Sequence, residues 1–503
     1  MTAGFLYCRT SAIATWVVVA LLGLFMDVWS QVNPRYRPGD WRNVTCVRYV
    51  TSYAESANTI YLGTRGGVAR YDRYNQDWLP TLTNAEGLPS NAIDRLAYNP
   101  NTDELYAETD AGIAVYNPTL AEWRGTLTFP DSLASPWNSF NPLNYQLPFG
   151  YDALIPGALT DPHLRSYEYA GGMTDSWGNL WVGTWGDFVW HNEHGAFELS
   201  PQRWGLYHDN VEALHLDDSA IYFAGPNYDG PEGALSIYDT LQKEWQWIEA
   251  RYTSGFQTDR ITRFAGVRGG RFLWMATPDG LIRFDRANSE FRTYRKRDGL
   301  SDERVYGLCL DGDILWIGTE VGVDGLYLVN DSVFSATSPS VDNARVYTIE
   351  ATGEVVWLGT DRGLYRLAKP VPEWFAFNDG TGPLSGVIRA MAHDDRTLYV
   401  GSDRGLALVD LDGSKPVRLF ENPSVLPADD IYALAVTDTI VWAGTPSGLL
   451  RFVPETLETR LFTPADGLPD YTVQAIAVDG DYLWLGTPEG ASRFCWNNPS
   501  RID

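Results

Sequence analysis

Guanidinium and phenol groups recur at matching places along this sequence, and they define the chemistry it could support. Arg260, Arg304 and Arg345 share one such place, and two residues further on come Tyr306, Tyr347, Arg389, Tyr432 and Gln474. A third set joins opposite charges, Asp361-Arg362 and Asp403-Arg404. Arginine forks interleaved with tyrosine rings can hold an anionic or sugar-like ligand, the forks by paired hydrogen bonds and the rings by stacking. The competing reading is structural: the same arginines could pair with Asp361, Asp403 or Glu320 as a network that holds loops together.

Other reactive groups point to less. Five of the six histidines lie between His163 and His215. The quartet His191-Asn192-Glu193-His194 has the look of a metal site, but alignment of the repeats puts it in a hairpin turn, where a solvated loop is expected. No metal and no cofactor are expected. His208 falls in a segment joining two repeats. Sequence signatures of nucleophilic, zinc-hydrolase, phosphate-loop and dinucleotide chemistry are absent. Carboxylate pairs sit mostly in turns, where Asp and Asn serve the backbone.

The elements that must position these side chains come from a repeat. A five-residue element occurs ten times: IYLGT at 60, LYAET at 105, LWVGT at 180, IYFAG at 221, LWMAT at 273, LWIGT at 315, VWLGT at 356, LYVGS at 398, VWAGT at 441 and LWLGT at 483. From Leu273 to Leu483 the intervals are 42, 41, 42, 43 and 42 residues. Within the element Leu483 and Leu485 point one way and Trp484 and Gly486 the other, as in a strand. A strand apolar on both faces must be sandwiched, and a Trp beside a Gly suits close approach of a neighbouring sheet. Each unit adds an inner strand such as Val473 to Val478, a tight turn at Asp479-Gly480-Asp481, a third strand such as GLIRFD at 280, and a fourth such as Phe291 to Tyr294. Four short strands in about 42 residues make a blade that buries its faces only by stacking on others around a channel. The fold expected is therefore all-β, a β-propeller of about ten four-stranded blades, with two smaller propellers as the alternative.

These motifs resemble the two-component regulator propeller repeat, whose pattern runs DGL, an inner strand, LWxGT and GLxRFD. The match is close in the six units from 273 onward and looser before them, where Glu108 and Ala224 replace the glycine. The resemblance implies extracytoplasmic sensing. No stretch of this sequence reads as a histidine-bearing dimerisation segment or an ATP-binding region, so phosphotransfer would fall to a partner.

Closure can be argued from the ends. The last unit stops after its third strand at Phe494 to Trp496, while Asp40-Trp41-Arg42-Asn43-Val44 looks like a spare fourth strand. The N-terminal strand is expected to complete the final blade, removing an open edge, in a single ring. The 75 residues from Leu105 to Leu180 exceed one unit, and Pro130, Pro136, Pro142, Pro148, Pro156 and Pro162 mark about 124–165 as an insertion rather than an eleventh blade. Its aromatic residues, Trp137, Phe140, Tyr145, Phe149 and Tyr151, could cap the channel or pack as a surface excursion.

Composition agrees with strands. Of 503 residues, 47 are Gly, 28 Tyr and 20 Trp against 5 Met, which favours aromatic strands and glycine turns over helices. The 38 Lys and Arg against 64 Asp and Glu leave a net charge of −26, which disfavours nucleic acid and anionic membranes as partners. Arg9, the apolar run Ala12 to Met26 and Val28-Trp29-Ser30 read as a signal peptide over residues 1–30, cut after Ser30. The run is too short to span a bilayer as a helix, so residues 31–503 are expected as a propeller in the periplasm or secreted, with no membrane span after cleavage. Cys46, Cys309 and Cys495 then remain, with a Cys46 to Cys495 pairing left open against buried free thiols.

The function expected is a noncatalytic module for ligand recognition or protein interaction. Its partners would be a carbohydrate or small anionic ligand, and a membrane sensor or surface-complex protein. A polysaccharide lyase or hydrolase on the same scaffold, using Tyr306 and His208, is one alternative. A scaffold in a cell-surface or secretion assembly is the other.

Overall fold

In a computed structural model the described residues are 38–498, apart from 135–145, 154, 156, 193–197, 229–232, 370–372, 378–381, 422–425 and 427–429. The expected signal peptide at 1–30 lies outside them, as do Trp137, Phe140 and Tyr145 of the insertion. Among the described residues the structure is strands and short 3-10 turns with no α-helix, and none is a helix long and apolar enough to cross a membrane.

The described residues form ten antiparallel sheets, nine of four strands and one of five. The repeated element is the second strand of each four-stranded sheet, as in Ile314–Thr319, Ile440–Thr445 and Tyr482–Thr487, and the third, Leu180–Trp185, of the five-stranded one. Its threonine closes the following hairpin: Thr445 Oγ1 donates to the carbonyl of Gly448 at 2.8 Å. Gly448 has φ of 144°, and a Cβ there would sit 2.1 Å from the carbonyl oxygen of Phe462. Only glycine fits.

The N-terminal strand Trp41–Val44 completes the last sheet in antiparallel register with Gly490–Cys495, pairing Trp41 with Phe494 and Val44 with Ala491. The Trp41 ring stacks on Phe494 at 4.1 Å between centroids. Asn43 locks the strand, donating to the Gly467 carbonyl at 3.0 Å while its Oδ1 accepts from Ser492 Oγ at 2.7 Å.

The order of neighbours around the channel refines the expected single ring. Inner strands lean on one another in sequence from Ala213–Leu216 through Arg263–Gly266, Val305–Asp311, Val346–Thr352, Ile388–His393 and Ala433–Thr437 to Ala475–Asp479, and the last lies against the first. Seven blades therefore close the ring: I (213–249), II (263–294), III (305–335), IV (346–376), V (388–420), VI (433–462) and VII (475–495 with Trp41–Val44). Each seam has its own apolar core, down to the seam of VII with I, where Trp484 and Ala491 meet Leu206, Val211 and Phe223. The other three sheets, A (50–82), B (93–126) and C (158–201), stack in the order C, A, B beside the ring. They leave and rejoin it through a two-stranded neck, where Cys46 pairs with Gly205 and Leu206 N–H donates to the Thr45 carbonyl at 3.1 Å. Within the neck the Arg48 guanidinium lies 3.7 Å over the Tyr207 ring.

In blades III to VII the glycine of the repeated element is demanded by the next inner strand, whereas blades I and II carry Ala224 and Ala276 there. A Cβ on Gly444 would meet the Val473 carbonyl oxygen at 2.5 Å, and one on Gly486 the Val211 carbonyl oxygen at 2.4 Å. Sheet B ends its stack, and there Glu108 replaces glycine and bonds Arg95 at 2.5 Å. The segment after sheet B packs back on it, with Ala134 bridging Ala97, while Ala158–Thr160 becomes the extra strand of sheet C. The described part of 124–165 thus belongs to the side stack. No disulfide joins Cys46, Cys309 or Cys495 to one another.

Candidate ligand-binding channel

One side chain at or just before the start of each inner strand converges on one end of the ring channel. They are Glu212, Thr262, Tyr306, Tyr347, Arg389, Tyr432 and Gln474, and with Arg263 they line an opening of about 320 Å³. Each follows a fully buried β-branched residue: Val211, Ile261, Val305, Val346, Ile388, Ile431 and Val473. The β-branched side chain wedges into the seam, so its successor must face the channel. That dipeptide is the signal by which Glu212 and Thr262 could have been found from sequence. They were missed because blades I and II depart most from the repeat. Arg263 was missed as well. Its Nη2 donates to the Arg389 carbonyl at 3.2 Å, tying blade II to blade V, and burial pushes its guanidinium below the usual range.

The remaining candidates divide. Arg345 Nε donates to Glu320 at 2.9 Å and its Nη1 to the Tyr347 hydroxyl at 3.0 Å. Tyr306 donates to the same Glu320 at 2.7 Å, and Arg304 stands 3.8 Å from it. Burial and the bond to Glu320 push the Tyr306 hydroxyl up to about 12, so it is a proton-bearing donor at neutral pH. Arg389 pairs with Asp430 at 2.5 Å beside the Tyr432 ring. Arg260 is exposed on the rim, where its charge acts on Glu212. Asp361, Arg362, Asp403 and Arg404 hold loops. Asp361 accepts from Arg345 N–H and Asp403 from Val387 N–H, Arg362 donates to the Asp342 and Asn343 carbonyls, and Arg404 to Ser385 Oγ. None of these four lines the opening.

Two polar atoms of the lining, Thr262 Oγ1 and Gln474 Oε1, are buried without a hydrogen-bond partner. Such groups cost about 1–3 kcal/mol each unless something binds them. The channel end therefore combines phenol rings, two guanidiniums and unspent hydrogen-bonding capacity, which suits a polar or anionic guest.

Histidine contributes nothing to the opening. His191 is buried against Trp181, with ring centroids 4.5 Å apart, while Glu193 and His194 lie outside the described residues. No cluster of three metal-ligating side chains occurs among the described residues. His208 sits at the neck with both ring nitrogens buried and unbonded, apart from the tyrosines of the channel. Burial lowers it to about 4. The unfolded chain then takes up a proton that the native state refuses, so this contribution is complete above about pH 6.5 and is lost as pH falls toward 4. Urea midpoints at pH 7 and pH 5 should show that His208→Gln removes about 2 kcal/mol of the acid sensitivity of the parent protein. Equal slopes for the two proteins would refute the assignment.

Solved structures similar to this chain in fold include two of bacterial origin. PorZ of Porphyromonas gingivalis, a bacterial surface component of the type-IX secretion system, is 17% identical with a TM-score of 0.52, covering 89% of this chain and 68% of that one. The extracellular domain of B. thetaiotaomicron BT3049, described as a hybrid two component system, is 16% identical with a TM-score of 0.50, covering 88% of this chain and 61% of that one. No family model and no curated protein sequence matches the chain. What the chain shares with these proteins is the propeller fold.

Proposed function

We propose that this protein is an exported, noncatalytic recognition module that binds a carbohydrate or small anionic ligand at the channel mouth and passes occupancy to a partner protein. The observation that carries the reading is the convergence of Tyr306, Tyr347, Tyr432, Arg389 and Gln474, one from each of five successive blades, on one opening. A guest there touches every blade it crosses, so binding would stiffen the ring as a unit. Fold likeness to the extracellular domain of a hybrid two component system supports the reading, and export rests on residues 1–30. Arg263 and the bound Arg389–Asp430 pair favour a guest that brings both hydrogen-bond acceptors and hydroxyls.

A thermal-shift screen of neutral and acidic oligosaccharides tests it, because a ligand selective for the native state must raise the melting temperature. A saturable rise is expected for at least one class, lost in Tyr347→Ala and Arg389→Ala, while Arg404→Ala retains it. No saturable rise, together with a stable protein captured by the intact ring, would replace this reading with the scaffold role. PorZ, described as a secretion-system component, lends that role its support. Turnover of an acidic polysaccharide that Tyr306→Phe abolishes would instead establish a lyase.

A further inference from the structure

The seam between blades VII and I holds a second cavity, of about 500 Å³, away from the channel. Its walls carry the indoles Trp204, Trp245 and Trp484, the ring of Tyr238, Arg268, and a further pair of arginines, Arg42 and Arg493. These arginines face one another directly across the closing strand pair. Like charges in that relation are unfavourable unless something lies between them.

Two other blades show what normally does. In blade II, Arg283 and Arg292 are opposed in the same way, and Asp331 binds both, 3.3 Å from Arg283. In blade VI, the opposed Arg451 and Arg460 have Glu458 at 3.4 Å and Asp466 at 3.3 Å. Among the described residues no carboxylate pairs with Arg42 or Arg493. Asp331 reaches blade II from the last, left-handed residue of the third hairpin turn of blade III, at φ of 60°. The same place in blade I, which faces blade VII, holds Lys243 at φ of 59°, turned 3.7 Å from Asp77 of sheet A. A cation thus stands where the neutralising carboxylate would be. Burial and the nearby charge of Arg42 push the Arg493 guanidinium down.

The acids on the wall do not make up the difference. Asp479 is taken by Arg268 at 3.3 Å and Asp217 by Arg286, which leaves Asp218 alone against two arginines. Loss of Asp479 to Arg268 has a second effect. In blades III, IV and VI the repeated tryptophan donates to the residue five places earlier: Trp316 to Asp311 at 3.0 Å, Trp357 to Thr352 at 2.9 Å, Trp442 to Thr437 at 2.8 Å. Trp484 is 6% exposed and its Nε1 has no partner.

We propose that this seam cavity binds a small organic carboxylate, its head held between the forks of Arg42 and Arg493 and its flat apolar body between the indoles of Trp204, Trp245 and Trp484. Guanidinium forks match a carboxylate in bidentate geometry, and the volume suits a molecule of one or two fused rings. This site stands apart from the channel and does not depend on the function proposed for it.

Calorimetric titration of the full chain with naphthalene-2-carboxylate, and with naphthalene-2-carboxamide as its uncharged counterpart, tests the proposal. One saturable site is expected for the carboxylate, with the carboxamide weaker by about tenfold or more. Arg493→Gln should weaken the carboxylate by a similar factor, whereas Arg451→Gln and the channel variant Arg389→Gln leave it unchanged. Should Arg493→Gln fail to fold, Lys243→Glu restores an acid at an exposed turn and is expected to abolish binding. Equal binding of carboxylate and carboxamide, indifference to Lys243→Glu, or no saturable heat would each overturn it.

Discussion

Replacing Trp41 by alanine is expected to lower stability by about 3–5 kcal/mol, the cost of truncating a fully buried indole in a closed core. Trp41 is 3% exposed, stacks on Phe494 at 4.1 Å and meets Phe462 at 5.7 Å. Its removal also weakens the strand that joins the two ends of the ring, so blade VII would be left with an open edge. Denaturant midpoints should fall accordingly, and hydrogen exchange in 475–495 should rise before that in blade III. Trp41→Phe should recover much of the loss, since the stack with Phe494 survives. A midpoint shift under about 1 kcal/mol for Trp41→Ala would mean that the ring closes without this strand.

Gly486→Val should cost about 3 kcal/mol or more, because the new side chain is forced against backbone and not into a yielding rotamer. The Cβ alone would lie 2.4 Å from the Val211 carbonyl oxygen and 2.9 Å from Val211 Cγ1. Val211 N–H also donates to the Thr487 carbonyl at 2.9 Å, so the two blades cannot part without losing that bond. The matched comparison is Glu108→Val at the free end of the side stack, where no following inner strand leans on the element; its effect should be small. Guanidinium titrations of the two variants measure the difference. Similar costs at both sites would show that the glycine serves the strand itself and not its neighbour.

Much of the scaffold is legible one residue at a time. The LWxGT element announces a strand buried on both faces, and Asp479-Gly480-Asp481 announces the hairpin before it. The spare strand at Trp41–Val44 could be matched to the open third strand at Phe494 because pairing needs only local alternation and a free edge. The tyrosines of the channel were legible for the same reason: they keep a constant offset from the repeat, and a constant offset in a strand means a constant direction. Arg362 and Arg404 kept such an offset too, yet they bind loop carbonyls and Ser385. Their long side chains reach whichever acceptor is nearest, and spacing along the chain says nothing about that.

By itself, then, the sequence determined the strands, their order within each sheet, the glycines that let sheets approach, and the stitch between the chain's two ends. Which sheets surround the channel was decided only in three dimensions. Every blade-like unit carries the same seam code, so unit VII could equally have leaned on sheet A. It leans on blade I because the neck at 45–49 and 203–209 carries sheets A, B and C outward as a body. The lack of a carboxylate between Arg42 and Arg493 was decided there too, since the turn position that Asp331 fills for blade II is held in blade I by Lys243, some 250 positions from Arg493, and only closure of the ring sets blade I beside blade VII.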